Sequence, residues 1–144
     1  MTPSNKKGSG QMDEADVRTV LRHSTTMIGS DEIPSKGANP HPRLYGTFPP
    51  VLSRYARDAG LLSLAEAVHR TTSFPATKCR LPGRGFVPPG YEADFVLFDP
   101  TTILDRATYA APRQYPTGIY PVFVNSVQVV RHTSARPGRA VRRA

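Results

Sequence analysis

The sequence has a single cysteine, Cys79, no tryptophan and no long apolar run. One cysteine excludes an internal disulfide and a zinc site built from cysteine pairs. The apolar runs fall well short of the roughly 20 residues that a membrane-spanning helix needs. The first ten residues also lack the apolar segment of a secretory signal peptide. From these absences we expect a cytoplasmic protein with no membrane partner.

Common catalytic and nucleotide-binding motifs are absent as well. There is no Gly-x-Ser-x-Gly elbow for a serine nucleophile and no Gly-x-x-x-x-Gly-Lys-Ser/Thr loop for phosphates. The histidines stand at no spacing that would bring two of them to one metal ion. They are His23, His41, His69 and His132. The residues alone therefore predict no self-contained metal or nucleotide site.

Positive charge exceeds negative charge, with 19 Lys and Arg against 11 Asp and Glu and a formal net charge of +8. Five arginines lie between Arg131 and Ala144, a segment without any acidic residue. Such a cluster can neutralise nucleic-acid phosphates. The segment has no Phe, Tyr or Trp to stack on bases, and Pro137-Gly138 is typical of a turn. We therefore favour a solvated tail, with nucleic-acid binding as the alternative.

Fifteen prolines and eleven glycines among 144 residues predict short elements and many loops. Residues 1–11 are small and polar, and we expect a disordered tail there. Asp13 is a good N-cap for a helix ending near Arg22, and Thr25–Ile28 predicts a short strand. Residues 30–49 predict a loop without regular structure. Further helices are expected from Pro50, Ser63 and Ser73.

After Leu81 the pattern changes from helical to β. Phe95–Phe98 is a continuous apolar run, which predicts a strand buried on both faces. Tyr120–Val124 and Val127–Val130 flank Asn125-Ser126, a pattern typical of a hairpin with a two-residue turn. The sequence therefore predicts an α/β fold with its sheet in the second half.

The candidate site lies where the first predicted strand ends. Ser30 and Asp31 follow that strand, and the next loop carries His41 and Arg43. α/β barrels present catalytic groups at the carboxyl ends of their strands. An acid there can act as a general base, and an arginine can hold a substrate carboxylate. Ser-Asp-Glu is also ordinary turn chemistry, which local sequence alone favours.

Five segments occur in the order found in one family: Thr26–Asp31, His41–Phe48, Gly90–Pro100, Gln114–Gly118 and Arg136–Arg139. They resemble the C-terminal part of D-aminoacylases, the N-acyl-D-amino-acid deacylases of the amidohydrolase superfamily. The resemblance runs from about Met12 to the C-terminus. It implies the last strand and following helices of a (β/α)8 barrel over residues 12–80. Residues 81–144 would be part of a small β-sandwich domain with the basic tail.

The resemblance also implies chemistry. The family is zinc-dependent, and the metal polarises the amide carbonyl of an N-acyl-D-amino acid and activates the attacking water. Asp31 matches the family's general base and metal contact. Arg43 matches an arginine that we assign to the substrate carboxylate, and we assign Ser30 and His41 to substrate binding beside it. The family's other metal ligands belong to earlier strands that this sequence lacks. We therefore expect that the chain alone does not bind zinc and is inactive.

The sequence departs from the family at two turns. Glu32 stands where a glycine usually follows the aspartate, and Ser126 stands where the hairpin turn usually has one. Two alternatives to an inactive fragment stay open, namely an upstream polypeptide that completes the site and a small nucleic-acid-binding protein. Because missing strands would leave edges and an apolar helix face uncovered, we also predict association or poor solubility.

Overall fold

The computed structural model describes residues 12–31 and 40–129. The predicted disordered tail at 1–11 and the basic segment after Arg131 lie outside the described residues. No helix in the described ranges is long and apolar enough to cross a membrane. The elements are α1 Glu14–Arg22, α2 Arg43–Gly46, a π-helix Val51–Asp58, α3 Leu64–Thr71, α4 Ser73–Lys78, β1 Phe95–Phe98, β2 Ile119–Val124 and β3 Val127–Gln128. The α/β class is confirmed, with helices first and a three-stranded sheet last.

Helix α1 begins where the sequence predicts. The Asp13 carboxylate accepts a hydrogen bond from the Ala15 N–H at 3.0 Å and so satisfies a donor of the first turn. On its apolar face Leu21 is buried, whereas Val20 is 48% exposed. The predicted apolar face of α1 is therefore only partly buried.

The core lies between the π-helix and α3. Ser63 caps α3, since its hydroxyl oxygen accepts a hydrogen bond from the Glu66 N–H at 3.1 Å. The helix predicted after Pro50 forms with π-helical bonding, and Ser53 is buried in it with its hydroxyl donating to the Pro49 carbonyl at 2.9 Å. The buried cluster consists of Val51, Ala56, Leu62 and Ala67, with Ile28 and Leu52 packed against it.

The strand predicted over Thr25–Ile28 does not form. The Thr26 N–H donates to the His23 carbonyl at 3.1 Å, and the Ile28 N–H donates to the Arg70 carbonyl at 3.0 Å. A strand needs a neighbour with which to form a ladder, and no strand of the described chain runs beside this segment. The predicted last barrel strand is therefore replaced by a segment tied to the end of α3.

The prediction of a loop without regular structure over residues 30–49 was wrong for one turn of helix. Helix α2 forms directly after Pro42, whose carbonyl accepts hydrogen bonds from the N–H groups of Tyr45 and Gly46, both at 3.0 Å. Proline suits the start of a helix because its fixed φ is already helical. The run Arg43-Leu44-Tyr45 contains no residue that opposes a helical turn.

The sheet is antiparallel in the order β1-β2-β3. The predicted hairpin is confirmed, and Asn125 and Ser126 take positive φ values of 47° and 67°, as a type I′ turn requires. The prediction that β1 is buried on both faces was wrong. Val96 and Leu97 point to opposite faces and are 55% and 49% exposed, because no second sheet packs here in the described part of the chain. The described residues form a single sheet, so the predicted β-sandwich is not confirmed.

The loop over residues 99–118 joins β1 to β2 and packs back on the helical half. Ile103 is 1% exposed, and Leu104 forms a bridge with Thr117. The Arg57 guanidinium donates to three carbonyls of this loop, at 3.3, 3.2 and 2.8 Å, which belong to Pro100, Thr101 and Ile103. This loop therefore ties the sheet to the π-helix.

Candidate functional site

Asp31 and Arg43 form an ion pair across the segment that separates them. Nη1 of Arg43 donates to Oδ2 of Asp31, and the side chains are 42% and 73% exposed. Asp31 has a positive φ of 48°. Aspartate tolerates this left-handed conformation because its short polar side chain can bond locally. The turn therefore occurs at the aspartate itself, which is where the sequence places the candidate base.

His41 lies next to this pair and contacts it through the backbone. Nδ1 of His41 accepts a hydrogen bond from the Arg43 N–H at 3.1 Å, and Nε2 lies 3.1 Å from the Tyr109 hydroxyl. Because Nδ1 accepts, the neutral ring carries its proton on Nε2, which then donates to the phenol oxygen. The two rings meet edge to face, with centroids 5.2 Å apart and planes at 79°.

Thr47 connects α2 to the segment that carries Ser30. The Thr47 hydroxyl lies 2.8 Å from the Arg43 carbonyl and 3.2 Å from the Ser30 carbonyl. The hydroxyl can therefore hold the end of α2 close to the residue before Asp31. The structure thus brings the four predicted site residues, Ser30, Asp31, His41 and Arg43, into one cluster.

Sequence reasoning missed the residues that the 99–118 loop adds to this cluster. Besides Tyr109, the ring of Tyr115 lies edge-on to Tyr45, with centroids 5.3 Å apart. A side chain at Gly46 would overlap the Asp105 carboxylate, so the loop approaches α2 where α2 has only a hydrogen atom. The available signal was the Gln114–Gly118 motif, which marked the loop without identifying what it contacts.

Two groups with shifted pKa values lie outside the cluster. Burial and the nearby Glu14 carboxylate raise the pKa of Tyr55, whose hydroxyl donates to Glu14 at 3.3 Å. Hydrogen bonds from Thr101 and Thr102 lower the pKa of Asp99. The first shift reflects packing against α1, and the second reflects the turn that begins the 99–118 loop.

The described residues do not form a metal site by themselves. In residues 12–31 and 40–129, no three His, Cys, Asp or Glu side chains come together in a way that could hold a metal ion. His69 faces α4 instead, with Nδ1 2.6 Å from the Ser73 hydroxyl and its ring stacked on Phe74. Asp31 is therefore one carboxylate that a metal could use, and its partner here is Arg43.

Three comparisons with known proteins agree with each other. The sequence pattern of the amidohydrolase family matches residues 5–134. D-aminoacylase from Alcaligenes xylosoxydans xylosoxydans is 46% identical over 135 residues, which cover 92% of this chain and 28% of that protein. N-acyl-D-glutamate deacylase from the same organism is 46% identical over 134 residues, covering 92% and 27%.

Solved structures give the same result. A D-aminoacylase studied for its binuclear metal centre superimposes with a TM-score of 0.88 at 47% identity, over 92% of this chain and 28% of that one. N-acyl-D-glutamate deacylase from Bordetella bronchiseptica, complexed with zinc and a phosphonate mimic of the tetrahedral intermediate, gives 0.86 at 44% identity, over 91% and 28%. The chain therefore spans a little over a quarter of the length of these relatives.

Proposed function

The chain belongs to the amidohydrolase family, and from this premise we propose that it is the C-terminal portion of a metal-dependent N-acyl-D-amino-acid deacylase. Its first half would supply the final strand position and following helices of the barrel, and its sheet would be part of the flanking β domain. The observation that carries the proposal is the Asp31–Arg43 pair, which places the proposed general base beside the arginine that would bind the substrate carboxylate. The reaction would release a D-amino acid and a carboxylate.

In this proposal Asp31 is the general base. Its carboxylate is largely exposed, so water can reach it. Asp31 would take a proton from the water whose oxygen bonds to the amide carbonyl carbon, and that proton would pass to the nitrogen as the C–N bond breaks. Zinc is the metal of the Bordetella bronchiseptica relative. Since no three His, Cys, Asp or Glu side chains of the described residues come together, Asp31 would be this chain's contact to the zinc, and the other ligands would come from the rest of the enzyme.

Arg43 would bind the substrate carboxylate, and Ser30 and His41 would line the same position. N-acyl-D-glutamate and N-acyl-D-aspartate, named for two relatives, both carry an α-carboxylate, which a guanidinium can hold in a fork. In this structure the Arg43 guanidinium pairs with the Asp31 carboxylate instead. Substrate must therefore displace this pair, at small cost because exposed ion pairs contribute at most about 1 kcal/mol.

The test is a chimera in which residues 12–144 replace the matching segment of the Alcaligenes D-aminoacylase. We expect the chimera to hydrolyse N-acetyl-D-methionine, whereas the purified chain with added zinc should not. Asp31→Asn should lower kcat by about 10²-fold or more because a positioned base contributes that much. Arg43→Ala should act mainly on KM, because it removes a contact that binds substrate and transition state alike.

Asp16→Asn is the matched control, since Asp16 is an exposed aspartate on α1 outside the cluster. It should leave the rate of the chimera unchanged. A folded chimera that hydrolyses no N-acyl-D-amino acid would contradict the proposal. So would full activity in the Asp31→Asn chimera.

A further inference from the structure

Arg43 is the first residue of α2, a helix that is too short to be stable by itself. Helix α2 has four residues, and its N-cap residue, Pro42, makes no side-chain capping bond. A single helical turn is unstable without outside contacts because few bonds offset the ordering of its backbone. The Arg43 N–H is one of the donors left open at such a helix start, and the acceptor that it finds is Nδ1 of His41.

His41 is itself exposed, so its ring orientation needs a cause. If the ring turned over, a carbon atom would face the Arg43 N–H and the bond would be lost. The Tyr109 hydroxyl lies 3.1 Å from Nε2, and the Tyr109 ring meets the imidazole edge to face. Both contacts favour the one orientation and the one tautomer in which Nδ1 accepts from Arg43.

Tyr109 is presented by a tight turn. The Thr108 N–H donates to the Ala111 carbonyl at 3.2 Å, and the Ala111 N–H donates back to the Thr108 hydroxyl at 3.0 Å. These reciprocal bonds leave Tyr109 and Ala110 at the tip. The turn belongs to the 99–118 loop, so Tyr109 brings the sheet half of the chain into contact with His41 of the candidate site.

We infer that Tyr109 is a positioning residue, which acts through His41 to hold Arg43 where it can bind the substrate carboxylate. The inference rests on the proposed function for the role of Arg43. The positioning itself rests on the contacts among Tyr109, His41 and Arg43. In this arrangement the role of His41 is to orient Arg43.

Tyr109→Phe keeps the ring and removes the hydroxyl, and Tyr120→Phe, an exposed tyrosine on β2, is the matched control. At about pH 8, where imidazole is ordinarily neutral, the nitrogen chemical shifts of His41 should report the Nε2–H tautomer in the wild-type chain. Tyr109→Phe should shift them toward a tautomer mixture. It should also speed hydrogen exchange of the Arg43 N–H by about two- to tenfold, as expected for one lost hydrogen bond.

His41→Asn separates capping from general stability. The Asn side-chain oxygen can accept from the N–H two residues on, so the Arg43 N–H should stay protected, whereas His41→Ala should expose it. In the chimera with the Alcaligenes D-aminoacylase, Tyr109→Phe should raise the KM for N-acetyl-D-methionine by about two- to tenfold with little change in kcat, in line with the lost bond. Tyr120→Phe should match the wild-type chain in every measurement.

The outcomes distinguish the inference from the function on which it rests. If Tyr109→Phe leaves the His41 shifts and the Arg43 exchange as in wild type, the inference is wrong whatever the chain binds. If both change as expected but the folded chimera hydrolyses no N-acyl-D-amino acid, the positioning role stands. In that case the assignment of Arg43 to substrate, and with it the proposed function, fails.

Discussion

At the scale of single residues, Arg70 determines how the chain approaches Asp31. Its side chain is 5% exposed, and Nε contacts Glu66 at 2.6 Å. Nη1 donates to the Leu21 and His23 carbonyls, at 2.6 and 2.8 Å, and so closes the C-terminal end of α1. The Arg70 carbonyl accepts from the Ile28 N–H. One residue of α3 therefore fixes both ends of the connection that leads to the candidate base.

Replacement of Arg70 by Met keeps the unbranched apolar stem of the side chain and removes all three hydrogen bonds. The Leu21 and His23 carbonyls would then lack their charged donor, so we expect a loss of roughly 2–3 kcal/mol in the free energy of unfolding. Urea denaturation followed by circular dichroism would measure it. Arg22→Met, at an exposed position of α1, should change stability by no more than about 0.5 kcal/mol. Equal losses in the two variants would disprove this role for Arg70.

The lowered pKa of Asp99 predicts how the stability of the fold depends on pH. Folding lowers its pKa because Thr101 and Thr102 donate hydrogen bonds to the carboxylate. The resulting stabilisation is complete above the ordinary aspartate pKa of about 3.9, and it disappears as the pH falls through the lower value of the folded chain. The difference in urea midpoint between wild type and Asp99→Ala should therefore narrow as the pH falls below the ordinary aspartate pKa of about 3.9. A difference that stays constant as the pH falls would refute the assignment.

At the scale of elements, those that depend on local chemistry could be predicted from the sequence. The Asp13 and Ser63 caps and the Asn125-Ser126 hairpin each need only neighbours in sequence, and all three form. The segment over residues 25–28 could not be predicted, because a strand depends on a partner far away in sequence. Arg70 was missed for the same reason, since its acceptors lie on α1.

The candidate site could likewise be predicted only in part from the sequence. The motifs that resemble the deacylase family identified Ser30, Asp31, His41 and Arg43 in advance, because a motif preserves residue identity without any knowledge of contacts. No motif identified Tyr109 as a neighbour of His41, since 68 positions separate them. The roles of the four residues remain predictions.

Gly118 tests how closely the 99–118 loop is packed. It has a positive φ of 72°, and a Cβ there would overlap backbone atoms of Ile103, which cannot move aside as a side chain end can. Gly60 also has a positive φ, of 56°, but a Cβ there would meet nothing within 4 Å. Gly60→Ala should therefore cost only the conformational strain, about 1–2 kcal/mol, and Gly118→Ala should cost clearly more. Thermal unfolding of both variants would measure the difference, and equal costs would contradict it.

At the scale of the whole molecule, the sheet leaves apolar surface uncovered. Val96, Leu97, Tyr120 and Val127 are all at least 40% exposed, and β1 has one unpaired edge in the described part of the chain. Exposed apolar faces and open strand edges promote association. We therefore expect the purified chain to self-associate as its concentration rises, which sedimentation velocity would detect.

Leu97→Lys should reduce that association, because it places a charge on the exposed face of β1. Thr77→Lys adds the same charge on α4, away from the sheet, and should leave association unchanged. A chain that sediments as a monomer at all concentrations and unfolds in one sharp thermal transition would contradict the prediction. Equal effects of the two lysines would instead point to net charge as the cause.

The contact between Tyr109 and His41 also has a consequence for the order of folding. It joins residues 68 positions apart. Closing so long a loop costs entropy, which one hydrogen bond and one ring contact offset only in part. The α1 and α3 caps and the hairpin form over short distances and can be made early. The contact of Tyr109 with the candidate site should therefore be late to form and among the first to open under mild denaturant, while the π-helix and α3 stay folded.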